Sequence, residues 1–162
     1  MDRKYRRRRS TVAALGLTAI ALLGACGDTK EEAGPTTVAR EEASNAYVAA
    51  GNELCDRTAE EIQTALPDFE GEPTIAQVQQ VGGDLSPVLA RFRAGVADLD
   101  PPAVSQSKHQ ALLDALDSSI AKLDAAASSE EGAQALLEAG GPPLDEPGNA
   151  AHALFERCPA GN

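Results

Sequence analysis

The spacing of the apolar residues constrains the fold of this chain more than any other feature of its sequence. In long stretches, apolar side chains recur at alternating steps of three and four, which collects them on one face of an α-helix. The first such stripe includes Val48, Cys55 and Ile62, and it predicts a helix over 38–66. No stretch alternates with period two in β-branched residues, so the sequence predicts no β-strand.

A second helix is predicted to begin after Thr74. The Thr74 hydroxyl and the Gln77 amide have the spacing of a capping box, in which the two side chains satisfy backbone N–H groups at the helix start. The apolar stripe continues over 78–99, although Gly82-Gly83 and Pro87 interrupt it. Because proline removes a helical hydrogen bond and clashes with the preceding turn, we expect a kink or a break between Gly82 and Pro87.

A third long helix is predicted over 103–127, after the stop signal Asp100-Pro101-Pro102. Shorter helices are predicted over 128–138 and over 147–157. Aromatic residues make up only 3% of the chain, and alanine and leucine supply most of the apolar content, which favours close-packed helices. The predicted fold is therefore all-α, a small antiparallel bundle of three long helices with short closing helices.

The first 25 residues differ in kind from the rest of the chain. Six basic residues lie among the first nine, and an apolar run of 15 residues follows over 11–25. A membrane-spanning helix needs about 20 apolar residues, so this run fits the apolar core of a secretory signal better. The run leads directly to a cysteine through Leu23, Gly24, Ala25 and Cys26. An uncleaved signal anchor and ordinary cleavage at an Ala-x-Ala-like site are the alternatives.

These four residues resemble the lipobox of bacterial lipoproteins. The resemblance implies that a signal peptidase recognises Leu23, Gly24 and Ala25, removes residues 1–25, and leaves Cys26 carrying a diacylglycerol with acyl chains such as palmitate. It therefore implies a lipid anchor on the extracytoplasmic face of the cell membrane, which two acyl chains would hold stably. The arginine run also suggests twin-arginine export, and the choice between that route and the general secretory route stays open.

After Cys26, the polar segment up to residue 37 is predicted to be a flexible tether, and 38–162 the helical bundle domain. From Cys26 onward the chain carries 24 acidic and 8 basic side chains, a net charge of −16. This charge argues against nucleic acid as a partner, because phosphates require a basic face. An anionic membrane surface would repel the domain, so the lipid rather than the protein body holds it there. We interpret the negative charge as a feature that keeps the domain soluble, or as one that gives it affinity for a cationic partner or divalent ions.

Cys55 and Cys158 are the two cysteines that follow Cys26. Export delivers the chain to a compartment where disulfides persist, so we predict one bridge between them that staples the last helix to the first. Free thiols and a catalytic thiol are the alternatives, and the absence of a Cys-x-x-Cys pair weakens the catalytic one.

No motif for catalysis, nucleotide binding or metal binding stands out in the sequence. The Gly-x-Ser-x-Gly, P-loop, dinucleotide-binding and EF-hand patterns are missing. His109 and His152 fall in different predicted helices and lack the Glu-x-x-His pattern of di-iron bundles. We expect His109 to be a hydrogen-bonded residue of the apolar stripe. The prediction is no enzyme, no catalytic residue, no metal and no cofactor besides the diacylglycerol on Cys26.

After the lipobox that ends at Cys26, the chain resembles the small Ala-rich helical lipoproteins of high-GC Gram-positive bacteria. Cys55, the turn Leu99-Asp100-Pro101-Pro102 before the helix with His109, and Cys158-Pro159 carry this resemblance. It implies an envelope protein and transfers no site residues.

Two hypotheses for function follow, of which the first is the prediction and the second is the alternative. An interaction or accessory module would dock on another envelope protein through an exposed apolar or acidic patch. A carrier would hold a small apolar or cationic ligand between helices, in a cavity opened near Gly82 and Pro87. A passive structural role is a third hypothesis, and the sequence leaves the oligomeric state open.

Overall fold

The computed structural model describes residues 37–67 and 71–161. This part of the chain is all-α, as predicted, and contains no strand. Its five helices are α1 (Thr37–Ala65), α2 (Ile75–Ala97), α3 (Gln106–Ser128), α4 (Glu130–Glu138) and α5 (Asp145–His152). None of these helices is long and apolar enough to cross a membrane. The predictions for the signal peptide, for Leu23, Gly24, Ala25 and Cys26, and for the tether up to residue 36 lie outside the described residues.

The three long helices pack in antiparallel order. A Cβ on Gly95 of α2 would lie 2.6 Å from Cδ2 of Leu54 on α1. Further along α1, Glu61 pairs at 2.5 Å with Arg91, which comes earlier in α2. As the residue number increases along α1, the number of the contacting residue on α2 decreases, so the two helices run antiparallel. All five helices belong to one compact unit, Gly34–Asn162.

The most extensive helix pair is α2 with α3. Gly82 permits their close approach, because a Cβ at this position would lie 2.7 Å from the carbonyl oxygen of Leu123. At the other end of the pair, the Arg93 guanidinium donates to Asp117 at 2.9 Å. The fully buried leucine and valine side chains of the two helices are Leu85, Leu89, Val96, Leu112, Leu116 and Leu123.

The second helix is continuous, with Pro87 inside it. The break predicted between Gly82 and Pro87 is therefore wrong. An internal proline costs about 3 kcal/mol or more, whereas burying one large apolar side chain stabilises by about 1.5–3 kcal/mol. Leu85 before the proline, and Val88 and Leu89 after it, are all buried, so packing on α3 outweighs the local cost.

The helix boundaries depart from prediction mainly near the end of the described chain. The third helix begins at Gln106, and a turn covers 103–105. The last helix was predicted over 147–157, and this is wrong, since it begins at Asp145 and ends at His152. The chain leaves α5 there and continues in turns, which carry the fully buried Phe155 and then Cys158 to α1.

Candidate ligand-binding site

The segment over 153–161 fills part of a gap between α1 and α3. Within the described residues, α1 approaches α2 closely but not the backbone of α3 or α5. Phe155 enters this gap and is completely buried there. Its ring centroid lies 5.3 Å from that of Tyr47, and a Cβ on Gly51 would overlap the ring. One end of the gap is thus closed by a single aromatic side chain that needs a glycine opposite it.

Tyr47 and His109 connect the two helices beside Phe155. The Tyr47 Oη lies 3.0 Å from Nδ1 of His109, and both residues are buried. Burial lowers the pKa of His109 from its ordinary value of 6.5 and raises the pKa of Tyr47. Both shifts favour the neutral forms, and the His109 tautomer decides which of the two groups donates in this hydrogen bond. The expectation that His109 is a hydrogen-bonded residue of the apolar stripe is confirmed.

Further along α1 the gap stays open as a cavity of about 280 Å³. Ile62 from α1, Phe92 from α2 and Leu116 from α3 line its interior. Pro147 and Ala151 from α5 form another wall. Each side chain reaches the cavity because it lies on the apolar stripe of its helix, so the same periodicity that builds the core also lines the space.

Few polar side chains reach this cavity. Thr58, Gln63 and Asp145 are the polar residues among its described lining, and Asp145 is the one charged group. Gln63 and Asp145 are exposed, which places them at the rim. The described residues contain no group of three or more His, Cys, Asp or Glu that could hold a metal ion. The arrangement suits the burial of an apolar molecule, with polar contacts confined to the mouth.

The Cys55–Cys158 disulfide forms part of the cavity wall. The two Cα atoms are 5.0 Å apart, although 103 positions separate them in sequence. Both residues line the cavity, and they are only 2% and 4% exposed. The predicted bridge is present, and it attaches the segment after α5, rather than a helix, to α1. Residues 158–161, which we call the strap, form the adjoining wall.

The cavity does not lie where the sequence suggested. The predicted opening near Gly82 and Pro87 is wrong, because Gly82 packs directly against α3. The sequence had not singled out 144–151 or 159–161 as lining. Glycines at Gly148 and Gly161 are the one sequence signal for this wall, because the two lie together and a Cβ on Gly148 would be 3.1 Å from the Gly161 nitrogen.

The described surface offers little apolar area. Val38 and Val104 are its exposed large hydrophobic residues, and they lie on α1 and before α3 respectively. No protein-family model, curated protein or solved structure matches the chain. The cavity and its disulfide are accordingly the features that bear most directly on function.

Proposed function

We propose that this protein is a lipid-anchored lipoprotein of the extracytoplasmic membrane face whose helical domain carries a small apolar ligand. The cavity of about 280 Å³ between α1, α2, α3 and α5 is the observation that supports the carrier role. The basic head, the short apolar run and the lipobox ending in Cys26 support the anchor. Together they describe a binding domain that a covalent diacylglycerol tethers to the membrane.

The size of the cavity indicates the size of the ligand. An engineered cavity of about 150 Å³ lined by Leu, Ile and Phe stays dry and binds benzene. The present cavity of about 280 Å³ is roughly twice as large, and suits about ten to twelve heavy atoms on that comparison. A ligand of about eleven heavy atoms, at about −0.6 kcal/mol per atom, would bind with a Kd on the order of 10 μM.

The charge of the domain narrows the chemistry of the ligand. Asp145 is the charged residue at the mouth, and the chain from Cys26 onward has a net charge of −16. A carboxylate or phosphate headgroup would meet repulsion there. The proposed ligand is therefore a neutral or cationic molecule with an apolar body.

A direct test uses naphthalene, which has an apolar body of suitable size. The protein is the chain from residue 26 onward carrying Cys26→Ser, exported from a signal peptide that ordinary signal peptidase removes. Ala59 lines the cavity, so Ala59→Phe should fill it and weaken naphthalene binding at least about ten-fold in calorimetric titration. Ala49 is exposed on the same helix, and Ala49→Phe is the matched control that should bind normally. Absence of naphthalene binding, or equal binding by both variants, would contradict the carrier role.

The anchor has its own test. In the full-length precursor, Cys26→Ser should abolish metabolic labelling with radioactive palmitate, because the acylated sulfur is removed. The wild-type precursor, expressed in the same bacterium, provides the reference for labelling. Continued labelling of the variant would refute Cys26 as the lipidation site.

An accessory module that docks on an envelope protein is the second candidate. The acidic surface favours it, and exposed glutamates on α1 include Glu41, Glu53 and Glu60. Such a module would bind a basic partner with an affinity that falls steeply as salt rises. Native mass spectrometry of the exported protein separates the candidates, because a carrier retains a small added mass that denaturation removes.

A further inference from the structure

We infer that the Cys55–Cys158 disulfide and the occupancy of the cavity control each other, so that a dithiol reductant promotes release of the ligand. The inference rests on the proposed carrier role. It concerns the strap, residues 158–161, which forms one wall of the cavity and which the disulfide attaches to α1.

On the side of α5, the strap is seated by close backbone packing. A Cβ on Gly161 would overlap the backbone of Asp145, and a Cβ on Gly148 would lie 3.3 Å from the carbonyl oxygen of Pro159. The imidazole Nδ1 of His152 lies 2.8 Å from the carbonyl oxygen of Cys158. On this side the strap is thus held by backbone packing and one hydrogen bond, with no covalent link.

On the side of α1, the disulfide is the strongest link between the strap and the helix. The Arg157 backbone N–H donates to Asn52 Oδ1 at 3.0 Å, and its guanidinium pairs with Asp56 at 2.6 Å. Both charged side chains are about half exposed, at 64% and 47%, and exposed ion pairs of this kind contribute little. Cleavage of the disulfide would leave these surface contacts of Arg157, the residue before the strap, as the polar attachment to α1.

The neighbouring Phe155 keeps the rest of the fold in place when the disulfide opens. Its ring is buried against Tyr47 and Gly51, and neither of these contacts involves the two cysteines. The chain therefore has a second attachment to α1, three residues before Cys158. This attachment allows the strap to move while the helices stay packed.

The converse effect follows from the burial of the sulfur atoms. Reduction requires a thiolate to reach one sulfur of the disulfide, but Cys55 and Cys158 are 2% and 4% exposed. Both residues line the cavity, so a ligand in the cavity blocks one approach and keeps the strap seated. Thermodynamic linkage makes the two effects reciprocal: if the disulfide favours binding, the ligand favours the disulfide.

A dithiol supplies the two electrons and two protons that reduction of the disulfide requires. A thiolate of the dithiol attacks one protein sulfur, the S–S bond breaks, and a mixed disulfide forms. The second thiol of the reductant then displaces the protein sulfur and closes the reductant's own disulfide. Two electrons and two protons pass to the protein, which is left with free thiols at Cys55 and Cys158.

The test uses dithiothreitol and naphthalene with the exported Cys26→Ser protein, whose cysteines are then Cys55 and Cys158 alone. Saturating naphthalene should shift the thiol–disulfide equilibrium with dithiothreitol toward the disulfide about ten-fold, the same factor by which reduction should weaken naphthalene binding. Circular dichroism should show that the reduced protein keeps its helices. The Cys55→Ser/Cys158→Ser variant should bind naphthalene with the affinity of the reduced protein, and dithiothreitol should leave that affinity unchanged.

A variant that leaves the disulfide intact provides a second test. Gly161→Ala should push the strap away from Asp145 and speed reduction in the absence of ligand. Gly83→Ala is its matched control, because the nearest atom to a Cβ there is 4.0 Å away, and it should be reduced at the wild-type rate.

The outcomes separate this inference from the proposed function. Failure of naphthalene to bind the oxidised protein contradicts the carrier role, and the coupling falls with it. Naphthalene binding that is indifferent to the disulfide contradicts the coupling alone. Loss of helix on reduction also overturns the coupling, because release would then result from unfolding rather than from movement of the strap.

Discussion

Replacing Gly51 with alanine tests how the segment that carries Cys158 is attached to the bundle. Gly51 is buried in the middle of α1, opposite the fully buried ring of Phe155. A Cβ at this position would overlap three atoms of the ring. The ring must therefore move or α1 must shift, although alanine is intrinsically the better helix former by about 1 kcal/mol.

The change in the free energy of unfolding on Gly51→Ala is the sum of these two opposing effects. Overpacking a well-packed core costs about 1–3 kcal/mol, and overlap with a rigid ring places Gly51→Ala near the upper value. After subtraction of the gain in helix propensity, we expect a net loss of about 2 kcal/mol. With an unfolding entropy of about 2.1 cal/mol/K per residue over about 125 residues, Tm falls by about 8 °C.

Gly83→Ala is the matched control within α2. The nearest atom to a Cβ there lies 4.0 Å away, so only the helix propensity changes. We expect this variant to gain up to about 1 kcal/mol, which raises Tm by about 4 °C.

Thermal unfolding followed by circular dichroism measures both variants, and Phe155→Leu provides a rescue background. The smaller side chain should reduce the penalty of Gly51→Ala, and the double-mutant cycle should show a favourable coupling of at least about 0.5 kcal/mol. Equal stability of Gly51→Ala and Gly83→Ala would refute the argument that Phe155 needs a glycine opposite it.

Three further predictions concern the cap of α2, the buried histidine and the disulfide. Thr74→Ala should lower the free energy of unfolding by about 1 kcal/mol in urea titrations, because Thr74 caps α2 in a capping box. Ser105→Ala should be nearly neutral, since the Ser105 side chain makes no cap hydrogen bond, and equal effects would contradict the capping argument. Burial lowers the pKa of His109 below 6.5, so the unfolded chain takes up the proton first and stability falls as the pH drops below about 6.5. His109→Gln should flatten this fall in urea titrations across that pH range, and an unchanged slope would exclude His109 as its source. Reduction of the Cys55–Cys158 bridge should lower the free energy of unfolding by up to about 4–5 kcal/mol, from the entropy of a loop of this length. A difference below about 1 kcal/mol between urea titrations with and without reductant would contradict this estimate.

Local signals accounted for the helices and for most of their ends. The capping box at Thr74 and Gln77 is present in the structure, and Cys55 lies on the buried face of α1, as its spacing predicted. Such features depend on residues within about one turn of each other, which a sequence displays directly. The departures came where distant contacts outweighed local preference. Pro87 stays inside α2 because its neighbours are buried, and α5 ends early where Phe155 turns toward α1.

The candidate site could be predicted only in its components. The bridge between Cys55 and Cys158 was predicted from the cysteine count together with the expected export of the chain and lipidation of Cys26. The position of the cavity could not be inferred in the same way. It depends on where Phe155 closes the gap between α1 and α3, and on how the strap over 158–161 lies against Asp145.

The helical class, the pattern of buried faces and the acidic charge can all be predicted from the sequence. Each of these follows from residue type and short-range spacing, which do not depend on how the helices are arranged. The arrangement of the helices sets the rest: a space remains between α1 and α3, Phe155 fills the gap beside it, and the Cys55–Cys158 disulfide forms part of its wall. The walls come from residues as far apart in the chain as Cys55 and Gly161, and packing alone sets the distances between residues so remote in sequence.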